Sequence, residues 1–178
     1  SHFSFDTPFE TEEHRQIRDA TRRWVQAEIV PHVEAWEDAE SFPRELYQKL
    51  AATGFLGIVY PEEYGGAGLD FASSLVVGEE LIRGGSAGVA ISLGSHVISV
   101  PPILALGSEE QKQRFLPPVI SGEKICALGI TEPGAGSDVA GIRTRAVRDG
   151  DHYVLNGAKT FITSGCRADW VTTAVRTS

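Results

Sequence analysis

The stretch Glu123-Lys124-Ile125-Cys126-Ala127-Leu128-Gly129-Ile130-Thr131 divides this 178-residue chain in two. Upstream of it, apolar side chains recur with a helical period; downstream, the period shortens to two. Helices first and strands afterwards is the order of an α+β protein, with a helical unit over residues 1–123 and a β unit over 124–178.

Working back from that boundary, Ile17, Trp24, Val25, Ile29, Val33 and Trp36 form a helical stripe with charges between them. Pro31 removes an amide donor inside the stripe, which predicts a kink or a break. A second helix is expected after Pro43, with Leu46, Leu50 and Ala51 on one face and Gly54 at its C-terminal stop. Tyr60 to Gly68 is a loop by composition. Residues 71–83 and 87–106 read as two further helices, the second apolar nearly all round and so buried. Ser108-Glu109-Glu110-Gln111 fits a capping box, opening a helix that Pro117-Pro118 should end.

Working forward, Ile125 to Thr131 is a strand. Thr144–Arg148 and His152–Leu155 flank Asp149-Gly150-Asp151, a hairpin signal. Asn156-Gly157 predicts a second hairpin into Lys159–Thr163, and Trp170 to Val175 alternates like a last strand. Antiparallel strands are therefore expected. So few strands leave an open edge, which reads as a truncated sheet and a chain that is a fragment. Ser1-His2, with no Met in the sequence, reads as a cloning remnant.

Composition excludes several classes. With 42% apolar and 22% charged residues the chain is globular. No apolar run approaches the ~18 residues of a membrane span. A net charge of -8 gives no basic excess for a nucleic-acid backbone. Cys126 and Cys166 are too few for a disulfide scaffold, and a reducing setting is expected. His14, His32, His96 and His152 show no metal-ligand spacing, and no metal is expected. The adjacent pairs Glu62-Glu63, Glu79-Glu80 and Glu109-Glu110 do not face each other on a helix and read as solvated surface.

Thr131-Glu132-Pro133-Gly134-Ala135-Gly136-Ser137-Asp138 is the stretch most suited to chemistry. Two glycines after a strand permit a sharp turn, and consecutive amides of such a turn can cradle an anion. From its residues alone it reads equally well as an ordinary glycine-rich turn. It is not a dinucleotide-binding fingerprint, because Gly134, Gly136 and Gly141 are wrongly spaced and no helix follows. Gly157-Ala158-Lys159-Thr160 is not a P-loop, since no glycine stands five residues earlier.

Four motifs together make the chain resemble the acyl-CoA dehydrogenase family over essentially its whole length. They are Tyr60-Pro61-Glu62-Glu63-Tyr64-Gly65-Gly66, Leu106-Gly107-Ser108-Glu109-Glu110-Gln111-Lys112, Ala127 to Asp138, and Leu155-Asn156-Gly157-Ala158-Lys159-Thr160-Phe161-Ile162-Thr163. The resemblance implies a helical N-terminal domain, the opening half of a middle β-domain, and a C-terminal helical bundle that this chain lacks. It implies flavin adenine dinucleotide (FAD) as cofactor, and a flavoprotein of fatty acid and lipid metabolism that desaturates an acyl-CoA between Cα and Cβ. Leu128, Gly129, Ile130, Thr131, Gly136 and Ser137 would hold the cofactor, with Thr131 at the pyrimidine side. Phe161, Ile162 and Thr163 would pack against the ring, Phe161 standing where many relatives carry Trp.

Ser137 would also touch the CoA part of the substrate, while Ile91, Ser92, Ser95 and His96 would border the acyl chain. The resemblance assigns no catalytic residue to these positions: the base, a glutamate, belongs to the absent bundle, and Glu132 is a structural acid beside the turn. An electron-transfer flavoprotein as acceptor, a homotetramer, and a cytosolic or mitochondrial-matrix setting are implied in the same way. A flavin oxidase or monooxygenase of the same fold, or a binding module without catalysis, are the alternatives.

Overall fold

A computed structural model describes residues 10–177, except the side chains of His96 and Val97; Ser1-His2 lies outside the described residues. Among the described residues, seven α-helices precede the first strand: α1 (Glu12–Glu28), α2 (Val33–Asp38), α3 (Glu45–Ala51), α4 (Phe71–Ile82), α5 (Ala87–Ser99), α6 (Pro101–Leu106) and α7 (Glu109–Ile120). The strands are β1 (Cys126–Gly129), β2 (Arg145–Asp149), β3 (His152–Asn156) and β4 (Trp170–Thr173). The α+β order expected from the change of period is the observed one.

Side-chain caps open the longer helices. Thr11 and Ser108 make capping boxes at α1 and α7, while Asp70 and Ser86 accept the Ser73 and Val89 amides at α4 and α5. The break at Pro31 separates α1 from α2 as expected, and Gly54 takes φ 82 beyond α3. The core joins Val25 of α1 and Ile29 at its C-terminal cap, Leu46, Tyr47 and Leu50 of α3, Val76 and Leu81 of α4, and Leu93 of α5. Ile125, just before β1, is wholly buried in this same core. That burial anchors the β unit to the helices.

One carboxylate is buried among the helices. Glu80 of α4 is inaccessible to solvent and accepts hydrogen bonds from Arg22 (2.9 Å) and Arg18 (3.1 Å) of α1. Burial pushes its acidity the wrong way, but the two guanidinium groups outweigh that and hold it below the usual carboxylate range. It is no solvated surface residue.

Several local expectations need correction. The helix expected over 87–106 is two helices, because Pro101 and Pro102 lack amides and start a new first turn. The first of the two is not buried all round, since Ile91 and Ile98 are both 56% exposed. Pro117-Pro118 do not end α7, which runs on to Ile120. Both prolines stand in its last turns, and the Pro117 carbonyl still accepts the Ser121 amide at 2.9 Å.

In the β unit, the β2–β3 hairpin turns at Gly150 (φ 64) as expected, pairing Arg145 with Asn156 and Asp149 with His152. β1 and β4 instead pair in parallel, Cys126 opposite Trp170 and Gly129 opposite Thr173. The long connection that a parallel pair requires is the segment 130–169, which contains the β2–β3 hairpin. A bridge between Arg145 and Arg176 joins the two ladders.

The second hairpin does not form. Phe161 (φ 56) and Ser164 (φ 61) take left-handed backbone conformations that a strand cannot contain. Gly157 is there for a different reason than a hairpin turn: a Cβ on it would lie 2.6 Å from the Thr144 Cα. Past this close crossing at Thr144, the Thr160 amide reaches the Thr131 carbonyl just beyond β1.

Candidate functional site

The exit of β1 is where the expected site residues gather. Glu132 and Ala135 exchange both amide–carbonyl hydrogen bonds (2.9 and 3.1 Å) around Pro133-Gly134, closing a tight turn. Neither Gly134 nor Gly136 takes a positive φ, so the turn does not need glycine for its backbone. A Cβ on either would meet nothing within 4 Å. What the two glycines keep clear is space outside the chain, room in which another molecule can approach the backbone.

Beneath the turn lies Glu132, 7% exposed. Its carboxylate accepts the Arg143 amide (2.6 Å), the Thr144 amide (2.9 Å) and the Lys159 ammonium (2.8 Å). Lys159 foremost, then its other hydrogen-bond donors, holds this carboxyl at about 2. A carboxylate so engaged cannot serve as a base, and its place as a structural acid is plain from the geometry.

The cofactor candidates differ in what they still offer. The Gly129 carbonyl accepts the Ala174 amide (3.0 Å), and the bare Gly129 lets Val171, Thr173 and Lys159 close on it. The Ile130 carbonyl accepts Lys159 (2.8 Å). By contrast, the amides of Thr131, Gly136, Ser137 and Asp138 donate to no acceptor among the described residues. The hydroxyls of Thr131, Ser137 and Thr163 are equally without a partner there. Leu128 is half-buried in β1.

A hydrogen bond from the Thr160 amide to the Thr131 carbonyl (2.9 Å) lays Phe161-Ile162-Thr163 beside this exit. The Phe161 ring is 92% exposed, while Ile162 and Thr163 are half-buried. Free amides, free hydroxyls and an offered aromatic ring together fit a planar, phosphate-bearing cofactor.

The acyl-side candidates are less alike than the sequence suggested. Ser92 lines a cleft of about 350 Å³ with Trp36, Phe42, Ser86, Ser164 and Arg167. Ser95 is buried and donates to the Ser92 carbonyl (2.7 Å), 3.5 Å from the Ser164 hydroxyl. Ile91 is exposed on α5, and the His96 side chain lies outside the described residues.

Sequence reasoning missed the residues that hold this site. Lys159 stands within a quoted motif yet carried no assigned role. Tyr47, Arg44, Arg167 and Asp169 gave no local signal, because each acts on a partner more than forty residues away.

The family described as "Acyl-CoA dehydrogenase, N-terminal domain" matches residues 11–123, and "Acyl-CoA dehydrogenase, middle domain" matches residues 127–178. The chain is 43% identical to a 3-(aryl)acrylate reductase of Clostridium sporogenes, over 90% of this chain and 43% of that protein. It is 43% identical to the mitochondrial long-chain specific acyl-CoA dehydrogenase of Sus scrofa, over 89% of this chain and 37% of that protein. Among solved structures, an acyl-CoA dehydrogenase complexed with FAD from Bacillus anthracis superposes with a TM-score of 0.89 at 39% identity, covering 97% of this chain and 30% of that one. The chain thus spans well under half the length of these relatives.

Proposed function

Because this chain belongs to the acyl-CoA dehydrogenase family, we propose that the complete polypeptide is an FAD-dependent enzyme that removes hydrogens from Cα and Cβ of an acyl-CoA thioester. The observation that carries this reading is the set of unengaged amides at Thr131, Gly136 and Ser137 beside the exposed Phe161 ring. FAD, when bound, supplies the two-electron acceptor for such a reaction.

Within that reading, residues 1–123 form the helical domain and 124–178 open the β-domain. The Thr131 amide and hydroxyl would donate to the pyrimidine edge of the cofactor, favouring negative charge there on reduction. The Gly136 and Ser137 amides would hold phosphate oxygens, and the Ser137 hydroxyl would face the CoA. Leu128, Gly129 and Ile130 would form the backbone wall beside the ring, Phe161 and Ile162 would cover the face away from substrate, and Thr163 would place its hydroxyl near N5. Ser92, Ser95 and His96 would border the acyl chain from α5.

The base is a glutamate outside these residues, raised in pKa by a dry pocket so that it can take the Cα proton. An electron-transfer flavoprotein would accept the electrons, the assembly would be a homotetramer, and the setting would be cytosolic in a bacterium or the mitochondrial matrix in a eukaryote.

The test is direct. The complete polypeptide should purify with FAD, or take it up, and its flavin band should bleach when an acyl-CoA is added without oxygen. A protein that takes up no flavin overturns the proposal. Rapid oxygen consumption by the reduced protein, with no partner present, would instead favour an oxidase. One relative is named a reductase, so the assay should also be run from the unsaturated thioester with a reductant.

A further inference from the structure

The segment Phe161–Ser164 is bounded by two non-glycine residues with positive φ, 56° at Phe161 and 61° at Ser164. Each such residue is strained, and persists only where its surroundings over-determine it. At Phe161 those surroundings do not come from side-chain packing, because the ring is almost wholly exposed. The constraint has to enter elsewhere.

It enters at Ser164. The wholly buried Tyr47 of α3 donates its hydroxyl hydrogen to the Ser92 carbonyl of α5 (3.1 Å). Its oxygen lies 3.2 Å from the Ser164 hydroxyl, which can then donate to it. Ser95 approaches the same serine at 3.5 Å. Just downstream, Arg167 donates to the Phe42 carbonyl (3.0 Å) and lies over the Phe42 ring (4.3 Å), and Arg44 donates to the Arg167 carbonyl (3.2 Å). The chain from 164 onward is therefore fastened to the helical unit, and the strained turn hangs from that fastening at Ser164.

We infer that Tyr47 is a positioning residue, whose hydroxyl acts through Ser164 to hold the turn that offers Phe161 and Thr163 to the flavin. This rests on the reading of the site proposed above. It assigns a role to a side chain in the helical core, remote in sequence from every cofactor-binding candidate. The helical unit then does more than border the substrate: it sets the conformation of the ring-covering segment.

The experiment uses the complete polypeptide with FAD and compares Tyr47→Phe, Ser164→Ala, and the double variant Tyr47→Phe/Ser164→Gly. Far-ultraviolet circular dichroism establishes that each folds; FAD dissociation constants and the flavin's visible absorption envelope are the readouts. Tyr47→Phe keeps the buried ring and removes only the hydroxyl, while Ser164→Ala removes the other partner from the half-buried turn. Each should weaken FAD by about three- to tenfold, the size of one lost hydrogen bond, and alter the absorption envelope. Glycine adopts φ near 61° without strain, so the double variant should recover both readouts towards the wild type.

Unchanged affinity and spectrum in both single variants overturns the inference, as does a double variant no better than Tyr47→Phe alone. If the wild-type protein itself takes up no FAD, the proposed function fails before any variant is compared.

Discussion

The Lys159 ammonium lies 2.8 Å from the Glu132 carboxylate and 2.8 Å from the Ile130 carbonyl, on the inner side of the turn that leaves β1. Only 13% of the lysine side chain is exposed. One cation thus joins the strand exit, the turn and the segment that precedes Phe161. Its removal would leave a nearly buried carboxylate held by two amides alone.

Lys159→Met should loosen this junction without emptying the apolar core. FAD affinity of the complete polypeptide is expected to fall about tenfold, the scale of a lost charge-assisted hydrogen bond. Lys159→Arg should not restore it, because the planar guanidinium is bulkier than the compact ammonium that fits between the two acceptors. Isothermal titration with FAD checks both.

Acid should destabilise the fold over a defined window. Glu132 is lowered from 4.5 to about 2 and Asp70 from 3.8 to about 2, the latter chiefly by the Ser73 amide; Glu80 and Asp169 are lowered too. A carboxyl more acidic in the folded than in the unfolded chain binds fewer protons when folded. Its contribution is complete above its unfolded pKa and is lost as pH falls towards the folded value. Urea midpoints should therefore be flat above about pH 5 and fall steadily between pH 4 and pH 2. A flat profile down to pH 3 would show that these carboxylates do not support the fold.

Glu80→Ala should be the most destabilising of the charge substitutions. It leaves Arg18, 15% exposed, paired with Glu10 and Glu79 but without its contact to the fully buried Glu80, and opens a hole between α1 and α4. The expected loss is about 3 kcal/mol in unfolding free energy, the range for breaking a buried ion pair from one side. Chemical denaturation with an unchanged m-value is the measurement. A loss under ~1 kcal/mol would mean that the arginines find other partners at no cost.

Phe161→Gly should separate stability from function. Almost no packing is lost with so exposed a ring, and glycine removes the cost of φ 56. The apoprotein should be about 0.5–1 kcal/mol more stable, after allowing for the extra freedom of glycine in the unfolded chain. FAD should bind more weakly, and the flavin spectrum should change. Phe161→Trp should leave apoprotein stability unaltered and change the spectrum alone.

Helices and caps were legible because their causes are local. The capping box at Ser108, the break at Pro31 and the hairpin at Gly150 each follow from residues within a few positions of one another. The glycine-rich turn was also legible, though for a different reason than the one its composition suggested: Gly134 and Gly136 are bare to leave room, not to bend. The proline pair in α7 and the absent second hairpin were misjudged, since local propensity yields wherever distant partners supply the missing energy.

Sequence by itself, through the change of period near residue 124, determined the order of helices and strands, and through four motifs the family. Tertiary structure alone decided the parallel pairing of β1 with β4, the burial of Glu80 against Arg18 and Arg22 of α1, and the contacts of Lys159 with Glu132 and of Tyr47 with Ser164. The reason is physical. Periodicity and capping act over one or two turns of chain, whereas these contacts join groups 27 to 117 residues apart. Their closure entropy is repaid only when the whole core packs at once.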